Sequence, residues 1–149
     1  MVSRKNVLPI EILLVEDNPA DVRLTIEGLR EAKVANHLHS VLDGNSALDF
    51  LHQRGDYKDA VRPDVILLDL NLPGLDGRAV LENIKNDSKL KAIPVVIVTS
   101  SEAEIDIIRS YESYANCFIS KPIDFEGFMR VVRAIEDFWF SVVRLPARG

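Results

Sequence analysis

The chain has 149 residues, enough for one domain that buries roughly 68–70% of its unfolded surface. Hydrophobic residues make up 47% and charged residues 28%, an ordinary globular balance, and the net charge of −5 argues against unaided binding to nucleic acid or an anionic membrane. A single cysteine, Cys117, excludes an intrachain disulfide and fits a reducing compartment. No apolar run approaches the ~20 residues that span a bilayer. Ser3-Arg4-Lys5-Asn6 leads straight into a strand-like run, so no secretory leader is expected and the expected location is the cytoplasm.

Residues 1–8 read as a polar, flexible tail. Ile10 to Val15, apolar except at Glu11, reads as a first strand ending in Glu16-Asp17-Asn18-Pro19. Pro19 suits the first helical position, with Asp17 or Asn18 as N-cap. Val22, Ile26 and Leu29 then mark the buried stripe of a first helix. A weaker strand covers about His37 to Leu42, Asp43-Gly44 is a turn, and Ala47, Leu48 and Leu51 mark a second helix. The polar stretch from Gln53 to Asp64 reads as a long connection. Val65 to Leu68 is apolar throughout, as in a strand buried on both faces. It ends in Asp69, followed by a Pro73-Gly74 turn and by Asp76, placed to cap a helix through Val80, Leu81 and Ile84.

Pro94 to Thr99 is a fourth strand, and Ser100 or Ser101 caps a helix holding Ile105, Ile108 and Tyr111. Cys117 to Ser120 is a short fifth strand closed by Lys121-Pro122, and a last helix runs from about Asp124 to Val143. Five alternations of strand and helix predict an α/β, doubly wound, five-stranded parallel sheet. Right-handed crossovers favour the order 2-1-3-4-5, with the switch point between strands one and three. There Glu16, Asp17 and Asp69 meet at the carboxyl ends of their strands, and Thr99 and Lys121 point to the same rim.

Singly, each rim residue has an ordinary explanation in helix capping, a turn or a solvated lysine. Together, three crowded carboxylates repel one another unless a cation joins them. An all-oxygen site with positions left for water suits Mg²⁺ or Mn²⁺. One hydroxyl and one ammonium then remain to hold an anion such as a phosphoryl group. His37 and His39 alternate on a strand and point to one side, but without a further Cys or His nearby they read as an exposed edge. Cys117 reads as packing, and no Walker A loop or dinucleotide fingerprint follows any strand.

In the blocks Leu14-Val15-Glu16-Asp17-Asn18, Leu68-Asp69 through Asp76-Gly77, Val98-Thr99-Ser100 and Ser120-Lys121-Pro122, the chain resembles a response-regulator receiver domain of two-component signalling. The resemblance implies a flavodoxin-like receiver fold over residues 9–143, with an extended C-terminal helix and a tail over 144–149. It implies Asp69 as phosphoacceptor, and Glu16, Asp17, Asp69 and the Asn71 backbone carbonyl as the protein's ligands to Mg²⁺, or to Mn²⁺ in its place. It further implies Thr99 and Lys121 as contacts to the phosphoryl oxygens and a cis Lys121-Pro122 bond. The switch position that is often Tyr in receivers is Phe118 here, which can move but cannot carry a hydroxyl hydrogen bond.

The insert from His52 to Pro63, Ser110-Tyr111-Glu112 and the ending Phe138-Trp139-Phe140 to Leu145-Pro146 are similar to the stand-alone regulators of phytochrome histidine kinases. The partner implied is a phytochrome sensor kinase, with the signal leaving through a downstream protein rather than nucleic acid or membrane. The only catalysis expected is self-directed phosphotransfer and acyl-phosphate hydrolysis. The competing expectation is a receiver-fold interaction module that acts without phosphotransfer. The last helix, ~20 residues and so ~30 Å long, exceeds a strand's ~17–20 Å. Its overhang carries Phe138, Trp139 and Phe140, which predicts a homodimer through that face.

Overall fold

The computed structural model describes residues 9–31, 35–99 and 117–120, together with positions 126, 127 and 130. The elements in order are β1 (Ile10–Val15), α1 (Pro19–Glu31), β2 (Asn36–Val41), α2 (Gly44–His52), β3 (Val65–Asp69), α3 (Gly77–Lys85), β4 (Val95–Thr99) and β5 (Cys117–Ser120). The strands form one parallel sheet in the order β2-β1-β3-β4-β5, the order expected from the sequence. The helix expected after Thr99, Lys121 with its peptide bond to Pro122, and the aromatics of the C-terminal overhang lie outside the described residues. Of the last helix, Glu126, Gly127 and Arg130 are described, and all three are helical.

Two apolar layers hold the sheet. Leu13, Val15, Ile66, Leu68, Val95 and Ile97 pack under α2 and α3, while Ile12, Leu14, Val65, Leu67, Val96 and Val98 form the opposite layer with Leu29 of α1. All five residues of β3 and of β4 are buried, because helices cover both faces of a central parallel strand. That is why neither strand alternates in hydropathy. One expectation about α1 changes: Ile26 is exposed, and the buried positions are Thr25, Gly28 and Leu29. The Thr25 hydroxyl donates to the Asp21 carbonyl at 2.9 Å, so a polar side chain turns inward at little cost.

The connections that aim the site are fixed by caps. Asn18 is the cap of α1, its Oδ1 accepting from the Ala20 N–H at 2.8 Å. Asp43 is a cap and not merely a turn residue: it accepts from the Ser46 N–H at 2.7 Å, and Gly44 begins α2. The long connection after α2 contains a short 3₁₀ turn over Gly55–Tyr57, with Tyr57 packed against Phe50. Asp76 caps α3, accepting from the Ala79 N–H at 3.0 Å. Asp76→Ala is therefore expected to lower stability by ~0.5–2 kcal/mol, read as a lower urea midpoint with an unchanged slope. At the far end of α3 the Lys85 ammonium donates to the carbonyls of Lys91 and Ile93, and its burial pushes its pKa down. This ties down the turn that delivers the chain to β4.

Candidate metal and phosphoryl site

Three strands end at one rim. β1 delivers Glu16 and Asp17, β3 delivers Asp69 and β4 delivers Thr99. β1 and β3 are hydrogen-bonded neighbours, with Val15 in register with Leu68, so the residues following each strand emerge side by side. Glu16, Asp69 and Thr99 are buried and Asp17 is exposed. One carboxylate oxygen from each of Glu16, Asp17 and Asp69 can be chosen so that all three lie within 4.8 Å of one another. The three acids expected to converge do converge.

Backbone donors set the orientation of two of them. Glu16 Oε2 accepts from the Asn18 N–H at 3.1 Å, while the Glu16 N–H itself donates to the Val41 carbonyl. Asp69 Oδ1 accepts from the Asn71 N–H at 2.9 Å, which fixes the plane of that carboxylate. The Asp69-to-Asp76 loop is held by the Gly77 N–H, which donates to the Leu70 carbonyl at 3.2 Å.

The donor set fits a hard divalent cation. An octahedral ion with oxygen ligands at ~2.0–2.1 Å places them ~3–4 Å apart, close to the span seen here. Among the described residues no nitrogen or sulfur ligand belongs to the cluster, and its open side faces solvent through Asp17. Thr99 is fully buried at the end of β4, next to the strand that carries Asp69. Phe118 is placed only as a position on β5, in register with Ile97.

Comparison with known proteins agrees with this geometry. The sequence pattern of the response regulator receiver domain matches residues 12–133. The chain belongs to that family. It is 47% identical over 139 residues to the response regulator Rcp1 of Synechocystis, covering 93% of this chain and 95% of the relative. Among solved structures, the phosphorylated cyanobacterial phytochrome response regulator RcpA is 47% identical, with a TM-score of 0.75 over 93% of this chain and 99% of that one. The Mn²⁺-bound form of Rcp1 is 46% identical, with a TM-score of 0.74 over the same shares. The receiver is a component of signalling rather than of metabolism, and its relatives are linked to phytochromes. Among the described residues no helix is long and apolar enough to cross a membrane.

Two features of the structure escaped the sequence reading. Glu11 sits between His37 and His39, which an alternation argument could have found once β1 and β2 were paired in register. Gly77 lies against the Asp69 carbonyl, which no local signal announces.

Proposed function

We propose that this receiver accepts a phosphoryl group on Asp69 from the phosphohistidine of a sensor kinase, and that the kinase is a phytochrome. The observation that carries the proposal is the three-carboxylate cluster at the end of the central strand, in a chain so similar to a phosphorylated phytochrome regulator. In this reading an Asp69 carboxylate oxygen attacks phosphorus in line, a P–O bond forms, and the P–N bond to the kinase histidine breaks. The product is an acyl phosphate, whose hydrolysis resets the protein. Glu16, Asp17, Asp69 and the Asn71 carbonyl would hold Mg²⁺ or Mn²⁺, which supplies neutralising charge for the phosphoryl oxygens when bound. The Asn71 N–H orients the nucleophile. Thr99 and Lys121 contact the phosphoryl oxygens, as hydroxyl and ammonium donors.

The receiver unit is proposed to span residues 9–143, with tails over 1–8 and 144–149, and to act in the cytoplasm. Its output is a protein contact, with self-association through the face that bears Phe138, Trp139 and Phe140. Incubation with a small phosphodonor and Mg²⁺, followed by mass spectrometry, should place phosphate on Asp69. Transfer from phytochrome kinases should be faster than from unrelated ones, and equal rates would remove the phytochrome assignment while leaving the acceptor role standing.

Phosphorylation adds charge and acceptor oxygens at the rim, drawing the Thr99 hydroxyl towards them and leaving room for Phe118 to turn inward. Thr99→Ala is expected to accept phosphate still, but with much of the accompanying change in amide exchange lost from the helix expected after Thr99 and from β5. Identical exchange responses in variant and wild type would rule out this route.

A further inference from the structure

At the opposite end of β1 from the rim, Glu11 lies between two histidines of the edge strand β2. Glu11 is in register with His37 and Leu13 is in register with His39, so all three polar side chains fall on one face of the sheet. Glu11 Oε2 is 2.7 Å from His37 Nδ1 and Oε1 is 2.8 Å from His39 Nε2. These are two of the chain's three histidines, brought onto one carboxylate by strand pairing alone. The His39 ring also packs on Phe50 of α2, with centroids 5.4 Å apart, which limits its orientations. His37 is more open, its side chain 60% exposed.

We infer that Glu11, His37 and His39 form a second metal site, for a borderline cation such as Zn²⁺, separate in place and ligand chemistry from the oxygen-lined rim. Two imidazoles and a carboxylate are a common ligand set for zinc, with the remaining tetrahedral position left to water. Among the described residues the rim offers oxygens alone and suits Mg²⁺ or Mn²⁺, so the two ends of the sheet sort cations by ligand type. The geometry needs a closing movement, since among the described residues only the rim acids already bring three ligand atoms within 4.8 Å of one another. Ligands bound at ~2.0–2.1 Å in a tetrahedron sit ~3.3 Å apart. The two His–Glu pairs are already nearer than that, and only the two ring nitrogens, on opposite carboxylate oxygens, must approach each other. His37, exposed at the sheet edge, has the freedom to make that movement. Asp64 supports Glu11 from behind. Its Oδ2 accepts from the Glu11 N–H at 2.8 Å, and its own N–H donates to the Glu11 carbonyl at 2.7 Å. The backbone under the site is thus held by the residue that precedes β3 as well as by β2.

The test is a calorimetric Zn²⁺ titration of the full chain kept saturated with Mg²⁺, so that the rim is occupied. One equivalent is expected to bind, and His37→Ala, His39→Ala and Glu11→Gln should each weaken it by about tenfold or more. His52→Ala and Cys117→Ser should leave it unchanged. Imidazole ¹⁵N shifts of His37 and His39, and not of His52, should move on titration, a readout that survives even if one variant fails to fold. No binding, binding indifferent to both strand histidines, or shifts confined to His52 would each overturn the site.

Discussion

Asp69→Asn is expected to abolish phosphoryl acceptance, from kinase and small phosphodonor alike, while leaving the fold intact. An amide oxygen is a far poorer nucleophile than a carboxylate, so labelling should fall to background. The structural consequence should be small, because Asn is nearly isosteric and its Oδ1 can still accept from the Asn71 N–H. Electrostatics also favours the variant when no divalent cation is present. Two like charges ~4 Å apart repel by ~1 kcal/mol in water and ~4 kcal/mol at an effective dielectric of 20. The cluster holds three such charges, two of them on buried residues. In a chelator, the variant should therefore melt at or above the wild-type temperature. Mg²⁺ should raise the wild type more than the variant, since the ion has lost one of its ligands. Covalent phosphate retained by the variant at another residue would end the assignment of Asp69.

The parts of this fold that are legible in the sequence are those whose burial comes from both sides. β3 and β4 read as continuous apolar runs because helices cover them on both faces, and their boundaries in the structure fall within a residue of the apolar limits. The strand order follows from chain connectivity and handedness rather than from any residue. β2 is an edge strand carrying Asn, two His and Ser, and its pattern is weak for that reason. α1 shows where hydropathy misleads. Ile26 scores as core and faces solvent, whereas Thr25 scores as neutral and is buried, satisfied by a carbonyl one turn away. Asp43 shows a cap hidden inside what reads locally as a turn.

The rim is legible for a different reason. Carboxylates at the ends of apolar strands are costly unless they serve a purpose, so Glu16, Asp17 and Asp69 stand out once the strands are paired. The pairing of Glu11 with His37 and His39 was not legible, because it depends on the β1–β2 register and on a carboxylate that looks like a flaw in an apolar strand. Gly77 was not legible either. In the run Pro73-Gly74-Leu75-Asp76-Gly77 both glycines look like turn residues, yet only Gly74 has the positive φ, 69°, that a turn glycine serves.

Gly77→Ala is expected to damage both stability and the site, because Gly77 is needed for closeness and not for backbone freedom. A Cβ at this position would lie 2.5 Å from the Asp69 carbonyl oxygen and 2.6 Å from the Leu70 Cα. Both neighbours are backbone, and neither can turn aside as a flexible side chain would. Alanine brings a helix-propensity gain of at most ~1 kcal/mol, and less at the first residue of α3. Overpacking typically costs ~1–3 kcal/mol, so the clash should win. The clash is relieved by a shift of the α3 N-terminus away from β3, lengthening the 3.2 Å bond from the Gly77 N–H to the Leu70 carbonyl. That shift would drag the loop carrying Asn71, whose N–H holds the Asp69 carboxylate in plane. Gly77→Ala should thus lower the urea midpoint and also weaken Mg²⁺ binding by calorimetry. Gly74→Ala is the control, since a Cβ there meets nothing within 4 Å and only the cost of its positive φ is felt. It should lose ~1 kcal/mol of stability with Mg²⁺ affinity unchanged. If Gly77→Ala proves as stable as the wild type and binds Mg²⁺ equally well, the close approach of α3 to the end of β3 does not position the site.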